Sequence, residues 1–201
     1  MKIVRLVAWV AVLLFAGWYG YQYILIEKPA VSGAQGELPG GAYTLTAHTG
    51  KKVSDTDFRG KYTLVYFGYS YCPDVCRIEL HKLTTALELM EKSGYDTSII
   101  QPVFISIDPE RDTVSELADY VLDYHPSLIA LTGTVQEIDA VGKQYRIYYK
   151  KRVQEGVDGY LMDHQSYVFV MDQDGIFERL FTGADTPQDI MDAFLPVLKK
   201  L

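Results

Sequence analysis

Apolar and polar positions follow three different rhythms along this chain. From Leu6 to Ile26 the residues are apolar on every side, with one polar interruption at Gln22. A helix of that length is about 31 Å long, against a hydrocarbon core of roughly 30 Å, so the pattern predicts one N-terminal transmembrane helix. Lys2 and Arg5 precede it; the cytoplasmic bias of cationic residues keeps the N-terminus inside and exports the rest. Trp18, Tyr19, Tyr21 and Tyr23 gather at the far end, where amphipathic rings favour the interface. A cleaved signal peptide would carry about 7–15 apolar residues ending at a small-x-small site. This run is longer and meets bulky aromatics, then Glu27-Lys28-Pro29. Residues 1–28 therefore read as an anchor with a short cytoplasmic N-terminus, the Gly-, Pro- and Ala-rich residues 29–41 as a flexible tether, and residues 42–201 as one domain with a core of its own.

In that domain, short β-rich runs alternate with helical periods. Ala42–Ala47 and Lys51–Val53 flank His48-Thr49-Gly50 as a hairpin, and Ser54–Phe58 forms one helical turn. Tyr62–Phe67 and Val103–Ile107 are continuous apolar runs, the mark of strands buried on both faces. Leu80, Leu83, Leu87 and Met90 fall on one face of a helix reaching about Lys92. Pro73 suits its first position and Asp74 its first turn. Further helices are predicted from Thr113 to about Tyr124, over Thr134–Tyr145, and from Thr186-Pro187 onward, where Ile190, Phe194, Val197 and Leu198 face inward. Ser127–Leu131 is a short strand and Tyr145–Arg152 an aromatic, basic excursion. Tyr167–Met171 and Ile176–Phe181 make a hairpin around Asp172-Gln173-Asp174-Gly175, a turn too short to be a calcium loop. The class is α/β, with a mixed central sheet flanked by helices. A strand feeding two cysteines at a helix start is the layout of the thioredoxin fold.

Composition narrows the function classes. With 48% hydrophobic and 22% charged residues the chain is neither disordered nor a multi-span membrane protein. Residues 1–28 hold Lys2, Arg5 and Lys28 against Glu27, so the remainder has 16 basic and 25 acidic side chains, a charge near −9. That disfavours nucleic acid and offers no basic patch for anionic lipid. Two cysteines and four histidines exclude a disulfide-rich scaffold and a four-cysteine zinc site.

The candidate chemistry centres on Cys72 and Cys76. Four apart at a helix start, their side chains share a face one turn apart, and the positive helix end favours thiolates. A thiolate pair serves disulfide exchange or a soft metal ion. A plain disulfide across so short a loop adds little stability, and two buried core cysteines would sit on the Leu80/Leu83 face, which this pair precedes. A trigonal Cu(I) site needs a third ligand. His48 sits in a turn, His81 on the solvent face of the helix, and His125 in a loop before Pro126. His164, in Asp163-His164-Gln165-Ser166 before the apolar strand, is the candidate. Thioredoxin-like oxidoreductases usually carry a cis-proline there and two residues between the cysteines; this chain has neither. Zinc would want a fourth ligand that no signal supplies. Tyr69 and Tyr71 flank the dithiol. Asp108, Glu110 and Asp112 around Arg111 read as a solvated loop with an internal ion pair rather than a calcium or magnesium loop.

Tyr66-Phe67-Gly68-Tyr69-Ser70-Tyr71-Cys72-Pro73-Asp74-Val75-Cys76, then Ser106-Ile107-Asp108-Pro109-Glu110-Arg111-Asp112-Thr113, then Asp163-His164-Gln165-Ser166 resemble the three signature blocks of the Sco/SenC family. The resemblance runs from about Ala42 to the C-terminus. It implies a thioredoxin-like domain in which Cys72, Cys76 and His164 bind copper, as Cu(I) with Cu(II) as a second state. It further implies delivery to the binuclear CuA site of cytochrome c oxidase subunit II, with a copper donor and a thiol reductant on the same side of the membrane. The loop carrying Asp108, Arg111 and Asp112 would stand behind the ligands or meet a partner. The location implied is the inner, cytoplasmic membrane with the domain in the periplasm, or the mitochondrial inner membrane facing the intermembrane space. Arg77 replaces the usual proline after the second cysteine, and Gln165 the usual small residue after the histidine. The alternative is a membrane-anchored thiol–disulfide oxidoreductase that keeps the cysteines of the apo-oxidase reduced.

Overall fold

The computed structural model describes residues 38–153 and 159–199, together with Arg5 and Phe15. The expected transmembrane helix, apart from Phe15, and most of the tether lie outside the described residues, and among those described no helix is long and apolar enough to cross a membrane. Residues 37–201 form one compact unit.

The expected first hairpin is there as β1 (Thr44–Ala47) and β2 (Lys52–Ser54), followed by a 3-10 turn over Asp55–Phe58. β3 (Tyr62–Gly68) leads to α1 (Val75–Lys92), then β4 (Ile100–Ser106), α2 (Val114–Tyr120), β5 (Ile129–Thr132) and α3 (Val135–Gln144). A ribbon of β6 (Tyr149–Arg152) and β7 (Leu161–His164) comes next, then β8 (Tyr167–Met171), β9 (Phe177–Thr182) and α4 (Pro187–Leu198). Seven strands form one sheet in the order β2-β1-β5-β4-β3-β8-β9. β3, β4 and β5 run parallel, and the outer pairs are antiparallel. This is the thioredoxin-like arrangement.

Alternation along β3 divides the core. Tyr62, Tyr66 and Gly68 point to one face, where Tyr62 meets Phe194 of α4 and Tyr66 meets Phe104, itself against Tyr120 of α2. Phe67 points to the other, against Tyr145 and Phe169. Leu80, Leu83, Leu87 and Met90 are all buried, as their spacing predicts. Ile190, Phe194 and Leu198 are buried too, with Val197 half-buried beside them. The three shorter helices each start on a threonine, Thr113, Thr134 or Thr186, whose hydroxyl accepts the backbone N–H three residues on.

Three local expectations are corrected. α1 begins at Val75, so Pro73 lies before the helix rather than at its first position, and Cys72 is outside it. Strand β4 starts at Ile100, ahead of Pro102, which β3 pairs but which precedes the β5 ladder that opens at Val103. The helix predicted from Thr113 to Tyr124 tightens to a 3-10 turn over Val121–Asp123. The aromatic, basic excursion resolves as the antiparallel ribbon β6–β7, in which Tyr149 pairs with His164. Before it, Arg146 takes a left-handed turn (φ +56°) that ends α3 and aims the chain into β6.

Candidate metal centre

The site lies where β3 and β4 end. After Gly68 the chain turns through Tyr69-Ser70-Tyr71, closed by the Cys72 N–H donating to the Tyr69 carbonyl at 3.2 Å. Cys76 is fully buried and heads the stripe that continues through Leu80 and Leu83. Gly68 makes room for it: a Cβ there would fall 2.9 Å from the Cys76 sulfur and 3.0 Å from the Phe104 ring. Cys72 precedes the helix, and its sulfur accepts the backbone N–H groups of Asp74 and Cys76. Asp74 supplies no side-chain cap to α1.

His164 closes the site from the ribbon. Its Nδ1 is 2.9 Å from the carbonyl oxygen of Gln165. A carbonyl only accepts, so Nδ1 carries the proton and Nε2 presents its lone pair. Nε2 lies 3.4 Å from the Cys76 sulfur. Tyr69 and Tyr66 meet the imidazole nearly edge to face, with centroids 5.8 and 6.4 Å away. One donor atom from each of Cys72, Cys76 and His164 lies within 4.8 Å of the others. The other histidines lie elsewhere. His48 Nδ1 accepts from the Ala130 N–H, His81 stacks on Tyr124, and His125 bonds to Ser127 and Glu91.

The two thiols are split. The hydrogen bond from Cys76, with help from the two backbone N–H groups, outweighs burial and lowers Cys72 from 9.0 to about 4. Cys76 is pushed up, because it keeps its proton toward Cys72, is buried and faces that charge. At neutral pH the pair is one thiolate and one thiol.

Behind the cysteines, Asp112 is buried and accepts from the Ser70 N–H at 3.1 Å, the Ser70 hydroxyl at 2.6 Å and the Ser106 hydroxyl at 2.5 Å. It thereby ties the cysteine turn to the end of β4. Burial raises its pKa against those donors. The expected ion pair is present, Arg111 Nε to Asp108 Oδ2 at 2.5 Å. The loop is solvated only in part: Glu110 is exposed, but its two aspartates are not. Asp108 is 2% exposed and Asp112 fully buried, since hydroxyl, N–H and guanidinium partners replace water. The Arg111 guanidinium stands 5.7 Å from the buried Tyr69 ring and 4.9 Å from the half-exposed Tyr71 ring. Arg77 turns outward to a solvent-exposed pair with Asp123 at 3.4 Å. Gln165 bridges to the ribbon: its side-chain oxygen accepts the Tyr148 N–H at 3.0 Å and its own N–H donates to the Tyr148 carbonyl.

Sequence reasoning missed Gly68, Ser70, Ser106 and Tyr160. Gly68 and Ser70 lie within the first signature block and Ser106 opens the second, where a small residue beside a buried strand end was the available signal. Tyr160 carried none; only the fold brings it to Arg111.

The family model for SCO1/SenC matches residues 32–199. Protein sco1 of Schizosaccharomyces pombe is 38% identical over 156 residues, 77% of this chain and 59% of that protein. The crystal structure of Arabidopsis thaliana ScoI with copper bound is similar at a TM-score of 0.73 and 37% identity, covering 81% of this chain and 99% of that one. Bradyrhizobium japonicum ScoI with copper bound gives 0.71 and 39%, over 80% and 99%. The chain spans about half the length of the curated relatives it matches. On the extent of these matches, this chain belongs to the SCO1/SenC family.

Proposed function

We propose that this chain is a membrane-anchored copper chaperone in which the sulfurs of Cys72 and Cys76 and Nε2 of His164 hold Cu(I) as transferable cargo for the CuA site of cytochrome c oxidase subunit II. The observation that carries the reading is the gathering of those three donor atoms within 4.8 Å. Two soft sulfurs with one imidazole suit Cu(I), whereas zinc prefers four ligands and, among the described residues, the group holds three. The cysteines stand on the β3–α1 turn and the histidine on β7, so a recipient thiolate can replace one ligand while the others still hold the ion. Copper in the Arabidopsis and Bradyrhizobium relatives supports the same cargo here. The anchor in residues 1–28 holds the domain at the exported face of an inner membrane. A copper donor and a thiol reductant act on that side.

The test is to titrate the reduced chain with Cu(I) against a chromophoric chelator. One ion per chain is expected, with binding lost in Cys72→Ala and in Cys76→Ala. Full-strength binding in either variant would defeat the reading.

One observation favours a second role. A lowered Cys72 beside a raised Cys76 is the division of labour of an attacking and a resolving thiol, which suits reduction of a disulfide in the apo-oxidase. His164→Ala separates the two roles. Copper carriage requires the imidazole, whereas dithiol exchange does not.

A further inference from the structure

The geometry points to Tyr160 as the positioning residue for His164, gripped by Arg111 and Asp108; this inference rests on the copper-site reading above. Ribbon β6–β7 is hydrogen-bonded to itself and not to the seven-stranded sheet. An isolated two-stranded ribbon is marginal in water, so the placement of a ligand on its last residue depends on what holds the ribbon down.

Tyr160 enters β7 directly and is held from three sides. Its hydroxyl donates to Asp108 Oδ1 at 2.6 Å. Its carbonyl accepts from Arg111 Nη1 at 2.9 Å. Its ring lies under the Arg111 guanidinium, 3.8 Å from centroid to central carbon. Arg111 Nε donates to the other oxygen of the same Asp108 carboxylate, so the three side chains form a closed ring of contacts. The same guanidinium stands over Tyr71 and Tyr69, the residues that lead into Cys72. One cation thus fastens the strand that ends in the histidine to the turn that carries the first cysteine. On the free side of Tyr160, Lys151 Nζ lies 4.0 Å from the ring centroid and is paired with Glu110 of the same loop.

The experiment uses Tyr160→Leu, which removes ring and hydroxyl; Tyr160→Phe, which keeps the ring under Arg111; and Arg111→Met. Hydrogen exchange of the metal-free chain should speed up in residues 160–164 for Tyr160→Leu and Arg111→Met, less so for Tyr160→Phe, with β3 and β4 unchanged. Cu(I) affinity should fall by about 10-fold or more in Tyr160→Leu, and X-ray absorption should lose the imidazole contribution. In a His164→Ala background the same substitution should cost nothing further, because the grip acts through that ring. Wild-type exchange rates in Tyr160→Leu, or a loss that adds in full to that of His164→Ala, would overturn the inference. If the unmutated chain binds no Cu(I), the copper reading fails, and the exchange data alone decide whether the grip exists.

Discussion

At the scale of single residues, the site works by unequal treatment of two like groups. Cys72 sits at the mouth of a helix N-terminus, where hydrogen bonding favours its thiolate, whereas Cys76 is sealed under Gly68 and keeps its proton, directed at Cys72. Alkylation of Cys72 by iodoacetamide, which reads thiolate, should therefore stay near its plateau from neutral pH down to about 5 and fall only as pH drops through about 4. An ordinary thiol loses reactivity below pH 9. A Cys72 rate that already falls between pH 9 and 7 would refute the split. Stability follows with opposite signs. The lowered Cys72 contributes stability that is complete above 9.0 and lost as pH falls toward 4. The raised Cys76 contributes stability that is complete below 9.0 and lost as pH rises above it. The reduced pair therefore stabilises the fold most near pH 9.

At the scale of elements, the fit of α1 on β3 decides where the sulfur goes. Cys76, Leu80, Leu83, Leu87 and Met90 share one buried face, so the helix cannot shift without unseating the core. Gly68→Ala forces a methyl group against the Cys76 sulfur, the Tyr66 ring and the Phe104 ring at about 3 Å. Urea unfolding should report a loss of about 1–3 kcal/mol from overpacking, together with weaker Cu(I) binding in the competition titration. Unchanged values for both would mean that the strand end is not tightly packed on the sulfur. Both elements were legible as patterns, because a run buried on two faces and a 3.6-residue period are hydrophobic signals. The ribbon was not. Tyr149-Lys150-Lys151-Arg152 and Leu161-Met162-Asp163-His164 bury little, so neither shows a clear alternation. His164 was legible as a candidate from its position before β8, but its place as the end of a paired strand depends on a partner 15 residues upstream. The start of α1 was not legible either, because Asp74 stands at the cap position without a side-chain hydrogen bond and Pro73 lies before it.

At the scale of the whole molecule, the strands separate the place where the chain enters the domain from the place where the chemistry lies. The Gly40 N–H donates to the carbonyl of Gln144, the last residue of α3. A Cβ on Gly40 would also strike Met171, which pairs with Thr63 near the start of β3. The dithiol lies beyond the other end of β3, which at about 3.3 Å per residue is roughly 20 Å away. The entry segment should therefore affect stability without affecting the site. A chain beginning at residue 38 keeps the Gly40 bond and the Tyr43 N–H bond to Asp55. One beginning at residue 44 loses both bonds and the packing of Tyr43 on the core. The shorter chain should unfold at lower urea, by about 2 kcal/mol or more, while its Cu(I) affinity stays within about twofold of that of the longer one, since that difference is worth less than 0.5 kcal/mol. A copper affinity that falls in step with the lost stability would mean that strain at the entry pole reaches the cysteines through the sheet, and that the two ends of β3 do not act independently.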